Sequence, residues 1–272
     1  MIGTLNIITT PIGCYVDITI RAIETLKSVD YIICEEFKEA KKLLKAFQIE
    51  KDLRRINEHT ESSQNSEEID EIFHDILTGK NVGLISDAGT PLFADPGKDL
   101  VKKCIEFNVK IEFFHGANSL LAALVCSGFD ISRFYYIGFI SPKTEHRIRE
   151  LKELAGISKV MALLEAPYRL KQILTDISKV MPVRKIYIGF DLTMPGEKHF
   201  RGKAMDILEE LGTENIKGEF VIIIDKPEKI VRESAGNKYL DIDENEESAE
   251  ENSGVGAIHA VPSWSSPAGK IE

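Results

Sequence analysis

Short apolar runs and amphipathic stretches alternate along most of the chain. "TLNIITT" (4–10) reads as a buried strand, and "DITIRAIETLKSVD" (17–30) predicts a helix capped by Asp17, with Ile18, Ala22 and Leu26 on one face. The same alternation continues with strand "YIICE" and helix "EEFKEAKKLLKAFQI", whose Leu43, Leu44 and Phe47 face inward. Then come strand "LRRI", a helix near 67–77, strand "NVGLIS" with its helix, strand "KIEFF" and a helix around "SLLAALVCSG". Repeated strand–helix units predict a mainly parallel sheet with helices on both faces. Beyond "GFDISRF" the pattern changes to strands "FYYIGFI", "KVMALLE", "KIYIGFD" and "EFVIIID", separated by helices around 145–154, 168–180 and 204–211. The expected fold class is therefore α/β, with two α/β domains at 1–129 and 130–226 and a ligand cleft between them.

One stretch stands out, "KNVGLISDAGTPLFADPGKDLVKKC" (80–104). A short buried strand runs into "SDAGTP", a turn too tight for large side chains, after which Asp95 is expected to cap a helix with Pro96 at its first position. Such a loop lies at the carboxyl end of a strand, where open α/β sheets place their ligands. It reads as a binding loop shaped by Asp87, Gly89 and Pro91.

Composition narrows the picture. With 272 residues, 43% hydrophobic and 29% charged, the chain can bury a sizeable core. No run approaches the roughly 20 apolar residues of a membrane helix. The N-terminus lacks the basic start and cleavage site of a signal peptide, so a cytoplasmic protein is expected. Cys14, Cys34, Cys104 and Cys126 are scattered without a C-x-x-C pair, which favours free thiols over metal ligands; no metal site is expected. The net charge of −10 is concentrated in the segment 227–272, where Lys229, Arg232, Lys238 and Lys270 face ten acids. That tail is rich in Ser, Gly, Asn and Glu without hydrophobic period and reads as disordered.

"TTPIG" after the first strand, "SDAGTPLFADPG" after a middle one, then "HGANSLLAAL", "GFISPK" and "LEAPYRL", in this order, resemble the tetrapyrrole methylase superfamily. Within it they are most similar to the ribosomal RNA small-subunit methyltransferase I family of 2′-O-methyltransferases. The resemblance spans about 4–225 and implies S-adenosylmethionine bound between two α/β domains, a homodimer, and a cytidine ribose of small-subunit (16S) ribosomal RNA as acceptor. It places cofactor contacts at Pro11 and Gly13, at Asp87, Ala88, Gly89 and Pro91, at Gly116 and Ser119, at Leu164 in "MALLEAP", and at Gly202. The residue types agree. A sulfonium cofactor needs no phosphate cradle, and no G-x-G-x-x-G or G-K-[ST] follows a strand. Gly89, Gly116, Ala88 and Ala117 permit close backbone approach, and Asp87 can hold a cationic group.

Methyl transfer to a ribose hydroxyl rests on positioning and gains from a nearby base. In the matching loops the candidates are Glu58 and His59 in "NEHT", Glu35 and Lys38 in "CEEFK", and Glu165 and Arg169 in "LEAPYR", with a mutual pair that braces the loop as the alternative role for the last two. Glu58 is the first choice. Lys38, Lys41, Lys42, Lys45, Lys51, Arg54 and Arg55, with Lys143, Arg147, Arg149 and Lys152, offer a basic rim for RNA. The chain departs from the family at Glu36, Phe37 and Lys38 after "CE", at His115 in "HGANS", and in "GFDLTM". Other readings stay open: a tetrapyrrole or other small-molecule acceptor, or a degenerate, non-catalytic cofactor-binding protein. An aspartate-nucleophile phosphatase is disfavoured because position 89, where it needs a second acid, is Gly.

Overall fold

Five strands form the first sheet, the central ones largely apolar and buried and the edge ones partly charged: β1 (Thr4–Ile8), β2 (Tyr31–Cys34), β3 (Leu53–Arg55), β4 (Val82–Ile85) and β5 (Lys110–Phe114). Their order is β3-β2-β4-β1-β5 and every pairing is parallel. The computed structural model describes residues 1–56, 67–93, 95–213 and 216–228. The expected tail, from 229 onward, and the candidates Glu58 and His59 lie outside the described residues. Met1–Glu228 make one compact unit.

Helices α1 (Ile20–Ser28) and α2 (Phe37–Ala46) cover one face of this sheet, burying Ala22, Leu26, Ala40, Leu43 and Leu44 against Ile8, Ile32 and Ile85. Helices α3 (Glu67–Leu77) and α4 (Lys98–Glu106) cover the other, with Ile69, Ile72, Ile76, Leu100 and Cys104 against Leu5, Ile33 and Leu84. Two helix starts differ from the expectation. Thr19, not Asp17, caps α1 by accepting a hydrogen bond from Ala22 N at 3.1 Å, and Asp17 sits in a preceding 3₁₀ turn. Gly97, at φ 121°, is the residue before α4, so Asp95 and Pro96 fall short of the helix. A hydroxyl one residue from the helix start satisfies an orphan amide that Asp17 is too far away to reach.

The second sheet comprises β6 (Phe134–Phe139), β7 (Val160–Leu164), β8 (Lys185–Phe190), β9 (Lys198–Lys203) and β10 (Phe220–Ile224), in the order β6-β7-β10-β8-β9. Only β6 and β7 pair in parallel. The others are antiparallel, so this sheet is mixed. Strand β9 departs from the expected pattern: "KHFRGK" is mostly charged and exposed, and it is held as an edge strand by its pairing with β8. Helices α6 (Thr144–Leu154), α7 (Leu170–Val180) and α8 (Ala204–Leu211) bury one face of the sheet. The opposite face is covered by α5 (Ser119–Ser127), through Leu120, Ala123 and Leu124 packed with Ala162, Tyr187 and Val221. Although α5 precedes the boundary expected at 130, its packing partners belong to the second sheet. Among the described residues no helix is long and apolar enough to cross a membrane.

Arg147 is fully buried and does not join the basic rim expected of it. Its Nε donates to Asp176 Oδ2 at 2.8 Å, and its Nη1 donates to the carbonyls of Ser141 and Pro142 at 3.2 and 3.0 Å. The guanidinium thereby fastens the "ISPKT" turn and α6 to α7. Removing one member of such a pair leaves a buried charge uncompensated. Arg147→Met should lower stability by about 3–5 kcal/mol in urea denaturation, and the double change Arg147→Met with Asp176→Leu should recover most of that loss.

Candidate functional site: an acidic cavity between the two sheets

Strands β1 and β4 are neighbours, yet β1 leads to α1 on one face of the sheet and β4 leads to α4 on the other. Their outgoing loops must diverge, which opens a crevice at the carboxyl ends of the strands. The crevice is closed by cross-links. Thr10 N donates to the Gly89 carbonyl at 2.9 Å, and Thr10 Oγ1 donates to the Ser86 carbonyl at 3.2 Å. Thr90 Oγ1 donates to the Ala117 carbonyl at 3.3 Å, tying in the loop after β5. From the second sheet, Thr193 Oγ1 accepts from Cys14 N at 3.0 Å.

These loops enclose a cavity of about 530 Å³, in the range of small-molecule sites. Thr10, Pro11, Ile12, Gly13, Ser86, Asp87 and Ala88 line it from the first sheet, and Glu39, Ala40 and Leu43 from α2. Ser119 enters from the start of α5. Asp95, Leu164, Glu165, Leu192, Met194, Glu219 and Val221 are among the residues on the rest of the wall. Of the expected cofactor residues, the structure thus gathers Pro11, Gly13, Asp87, Ala88, Ser119 and Leu164. Gly89, Pro91, Gly116 and Gly202 are not on this wall. Two of them sit in tight packing: a Cβ on Gly116 would come within 2.8 Å of Thr9 Cγ2, and one on Gly89, at φ 85°, within 3.1 Å of Ile12 Cγ2, while Gly89 also lines a smaller recess beside the cavity. These glycines let protein segments meet each other. Gly202, at φ 152°, sits where β9 turns into α8.

Nor do Glu35 and Lys38 reach the cavity wall. The Glu35 carbonyl accepts from Arg55 Nε at 2.8 Å, and the neighbouring Glu36 pairs with the same guanidinium. Lys38 is exposed on α2, which presents Glu39, Ala40 and Leu43 to the cavity instead. Several lining residues carried no legible signal in the sequence. Glu219 follows a turn far down the chain. Leu192 and Met194 belong to a loop in which Asp191 and Thr193 take positive φ values of 47° and 66°.

The electrostatics of the wall have one sign. Glu39, Asp87, Asp95, Glu165 and Glu219 line it, and no Lys, Arg or His among the described residues does. Burial pushes the Asp87 carboxyl up, opposed by the hydrogen bond its Oδ1 accepts from Glu36 N at 3.1 Å. Burial likewise raises Glu219, with a further contribution from Asp191. Glu165 Oε1 accepts from Ala166 N at 2.7 Å and pairs with Arg169, bracing the loop as expected. Its Oε2 is buried without a hydrogen-bond partner. An orphaned acceptor on an acidic wall suits a ligand that brings both positive charge and N–H or O–H donors. S-adenosylmethionine, with its sulfonium, ammonium and ribose hydroxyls, fits that description, and Ile12, Leu43, Leu164, Leu192 and Val221 offer apolar surface for its adenine.

Asp95, read from the sequence as a helix cap, is instead a cavity residue that hydrogen-bonds Ser86. Burial, reinforced by Asp87, raises its carboxyl from 3.8 to about 6. Because the folded value lies above the unfolded one, the native state holds the extra proton between these limits. The group's contribution to stability is therefore full below pH 4 and is lost as pH rises through about 6. Asp95→Asn, neutral throughout, should melt higher than the unsubstituted protein at pH 7.5, with the gap closing toward pH 4 in thermal scans.

The family model for Tetrapyrrole (Corrin/Porphyrin) Methylases matches residues 4–208. Ribosomal RNA small subunit methyltransferase I of Bacillus subtilis (strain 168) is 32% identical over 90% of this chain and 79% of its own length. The protein of that name from Thermotoga maritima is 34% identical over 82% of this chain and 98% of its own. Among solved structures, a diphthine synthase superposes with a TM-score of 0.66 at 13% identity, covering 82% of this chain and 90% of that one. Uroporphyrin-III-C-methyltransferase from Thermus thermophilus gives 0.58 at 14% identity, over 82% and 94%. At such identities the structural likeness establishes the fold, while the motifs on the cavity wall and the match across three quarters of the chain establish the family. The chain belongs to the tetrapyrrole methylase family of S-adenosylmethionine-dependent methyltransferases.

Proposed function

We propose that this enzyme methylates the ribose 2′-hydroxyl of a cytidine in small-subunit (16S) ribosomal RNA, acting in the cytoplasm as a homodimer. The observation that carries the reading is the similarity, across most of the chain, to relatives named as ribosomal RNA small subunit methyltransferase I. The geometry supports a large acceptor, since the acidic cavity lies beside α2, whose Lys38, Lys41 and Lys45 are exposed at helical spacing. Leu121 and Val125 on the outer side of α5 are 56% and 71% exposed, apolar surface that suits a second copy of the chain. N-terminal and C-terminal α/β domains at 1–129 and 130–226 remain our reading of the chain's division, with α5 crossing from the one to the other.

S-adenosylmethionine supplies a methyl group made electrophilic by its attachment to a sulfonium. The chain's own residues bind and orient. Asp87, Glu165 and Glu219 favour a cation in the cavity and accept hydrogen bonds, while Pro11, Gly13, Ala88, Ser119 and Leu164 shape its walls. Fixing donor and acceptor at near-attack distance is the larger part of such catalysis. We assign Glu58 to activating the acceptor hydroxyl, with His59 beside it in sequence. A reading with a tetrapyrrole or other small acceptor predicts instead that free small molecules become labelled.

Labelled methyl transfer from S-adenosylmethionine to small ribosomal subunits lacking this modification should place the label on one cytidine ribose. Label on no RNA would refute the acceptor. Asp87→Ala should weaken S-adenosylmethionine binding by about tenfold in calorimetry, as loss of a charge-assisted contact does. Glu58→Ala should leave that affinity unchanged and slow transfer by about a hundredfold, the lower end for loss of a general base.

A further inference from the structure

A smaller recess of about 70 Å³ adjoins the donor cavity and shares Ala88, Asp95, Ser119 and Leu164 with it. Its remaining wall includes Thr90, Asn118 and Phe93. Asn118 Nδ2 donates to Thr90 Oγ1 at 3.2 Å, so the polar side of the recess is already ordered. Phe93 is the unusual member: a large apolar ring, 42% exposed, on a loop rather than under one. Leu92 before it takes φ 68°, a backbone region that bulky residues rarely occupy, and such strain concentrates at ligand sites. The Phe93 ring is fixed from behind by Tyr136 of β6, with centroids 4.8 Å apart and planes inclined at 40°. A solvent-accessible aromatic ring held by a second ring, on the wall of a recess that adjoins the methyl-donor cavity, is a stacking platform.

Resting on the RNA reading above, we infer that this recess is the acceptor subsite, in which the target pyrimidine, turned out of its strand, stacks on Phe93 while its sugar edge enters toward Asp95. Four considerations lead there. Sequence-specific RNA recognition targets single-stranded nucleotides whose bases are splayed out and held on aromatic faces. The recess is too small for a whole nucleotide but open enough for a ribose edge, which leaves the base over the ring at the rim. Asp95 lies on the wall common to both cavities, so a ribose edge that enters beside it is brought next to the donor. The partly polar, partly aromatic lining also favours a nucleotide over a wholly apolar acceptor.

The test compares Phe93→Leu, which keeps the apolar bulk but removes the π-face, with Phe93→Trp, which keeps it. Small ribosomal subunits lacking the modification are the substrate, and an RNA hairpin carrying pyrrolocytidine at the target position is the binding probe. The unsubstituted protein should quench the probe on binding. Phe93→Leu should abolish the quench and lower kcat/KM for subunits by about tenfold, as loss of base–aromatic stacking does, while S-adenosylmethionine affinity in calorimetry stays within about twofold. Phe93→Trp should retain the quench and most of the activity. A Phe93→Leu protein that quenches and methylates normally overturns the subsite and leaves the RNA reading standing. A Phe93→Leu protein that also loses cofactor affinity overturns it too, because the recess then belongs to the donor site. Cofactor binding without any RNA label in the unsubstituted protein defeats the RNA reading and this inference together.

Discussion

The burial of one face of α5 against the second sheet is the constraint from which the site follows. The chain leaves β5 of the first sheet, passes Gly116 and Asn118, and packs Leu120, Ala123 and Leu124 onto strands β7, β8 and β10. Asn118 caps this helix by accepting from Leu121 N at 3.0 Å, so the same residue that starts the helix also ties to Thr90 in the binding loop. Apolar burial is the dominant favourable term in folding, and here it draws two sheets with separate cores on their outer faces toward one crevice. Without that docking, the loops after β1 and β4 would line an open groove.

The price of an acidic wall is visible in its carboxylates. Burial raises Asp87, Asp95 and Glu219, so the cavity wall carries carboxylates that the fold itself does little to neutralise. Glu165 is the exception, balanced by Arg169 from its own loop but left with one oxygen unpartnered. Such an arrangement costs stability in the free protein and is offset by a cationic ligand, the usual relation between a preorganised site and the molecule it binds. The neighbouring loop follows the same rule, since Asp191 and Thr193 hold positive φ values where Leu192 and Met194 reach the cavity.

Elsewhere the basic residues are divided between two tasks. Arg147 is consumed in the interior of the second lobe, Arg54 pairs with Asp75, and Arg55 with Glu36, so these three guanidinium groups brace the protein. The exposed lysines of α2 remain available to a polyanion. A count of basic residues along the chain does not separate the two, because ion pairing and burial depend on neighbours distant in sequence.

Much of the fold was legible in the chain itself. Period-two and fully apolar runs gave nine of the strands, since a strand buried on both faces must be apolar whatever its partners. Ordered motifs pointed to the loops that carry Pro11, Gly13, Asp87, Ala88 and Ser119, because tight turns demand particular residues locally. Strand β9 was hidden, as an exposed edge strand is defined by its partner's hydrogen bonds and not by its own side chains. Asp95 looked like a helix cap because "DPG" before a helix has that local meaning, and only the position of Ser86 and the crevice made it a cavity residue. The missing Cβ atoms of Gly89 and Gly116 also make room for Ile12 and Thr9, a packing role that depends on distant neighbours. What the sequence determined by itself was each segment's conformation and the chemistry it carries, which are local properties. Which carboxylates share a wall, which arginines are buried and where the two sheets meet were decided by tertiary packing, because these depend on distances between residues that the chain alone does not specify.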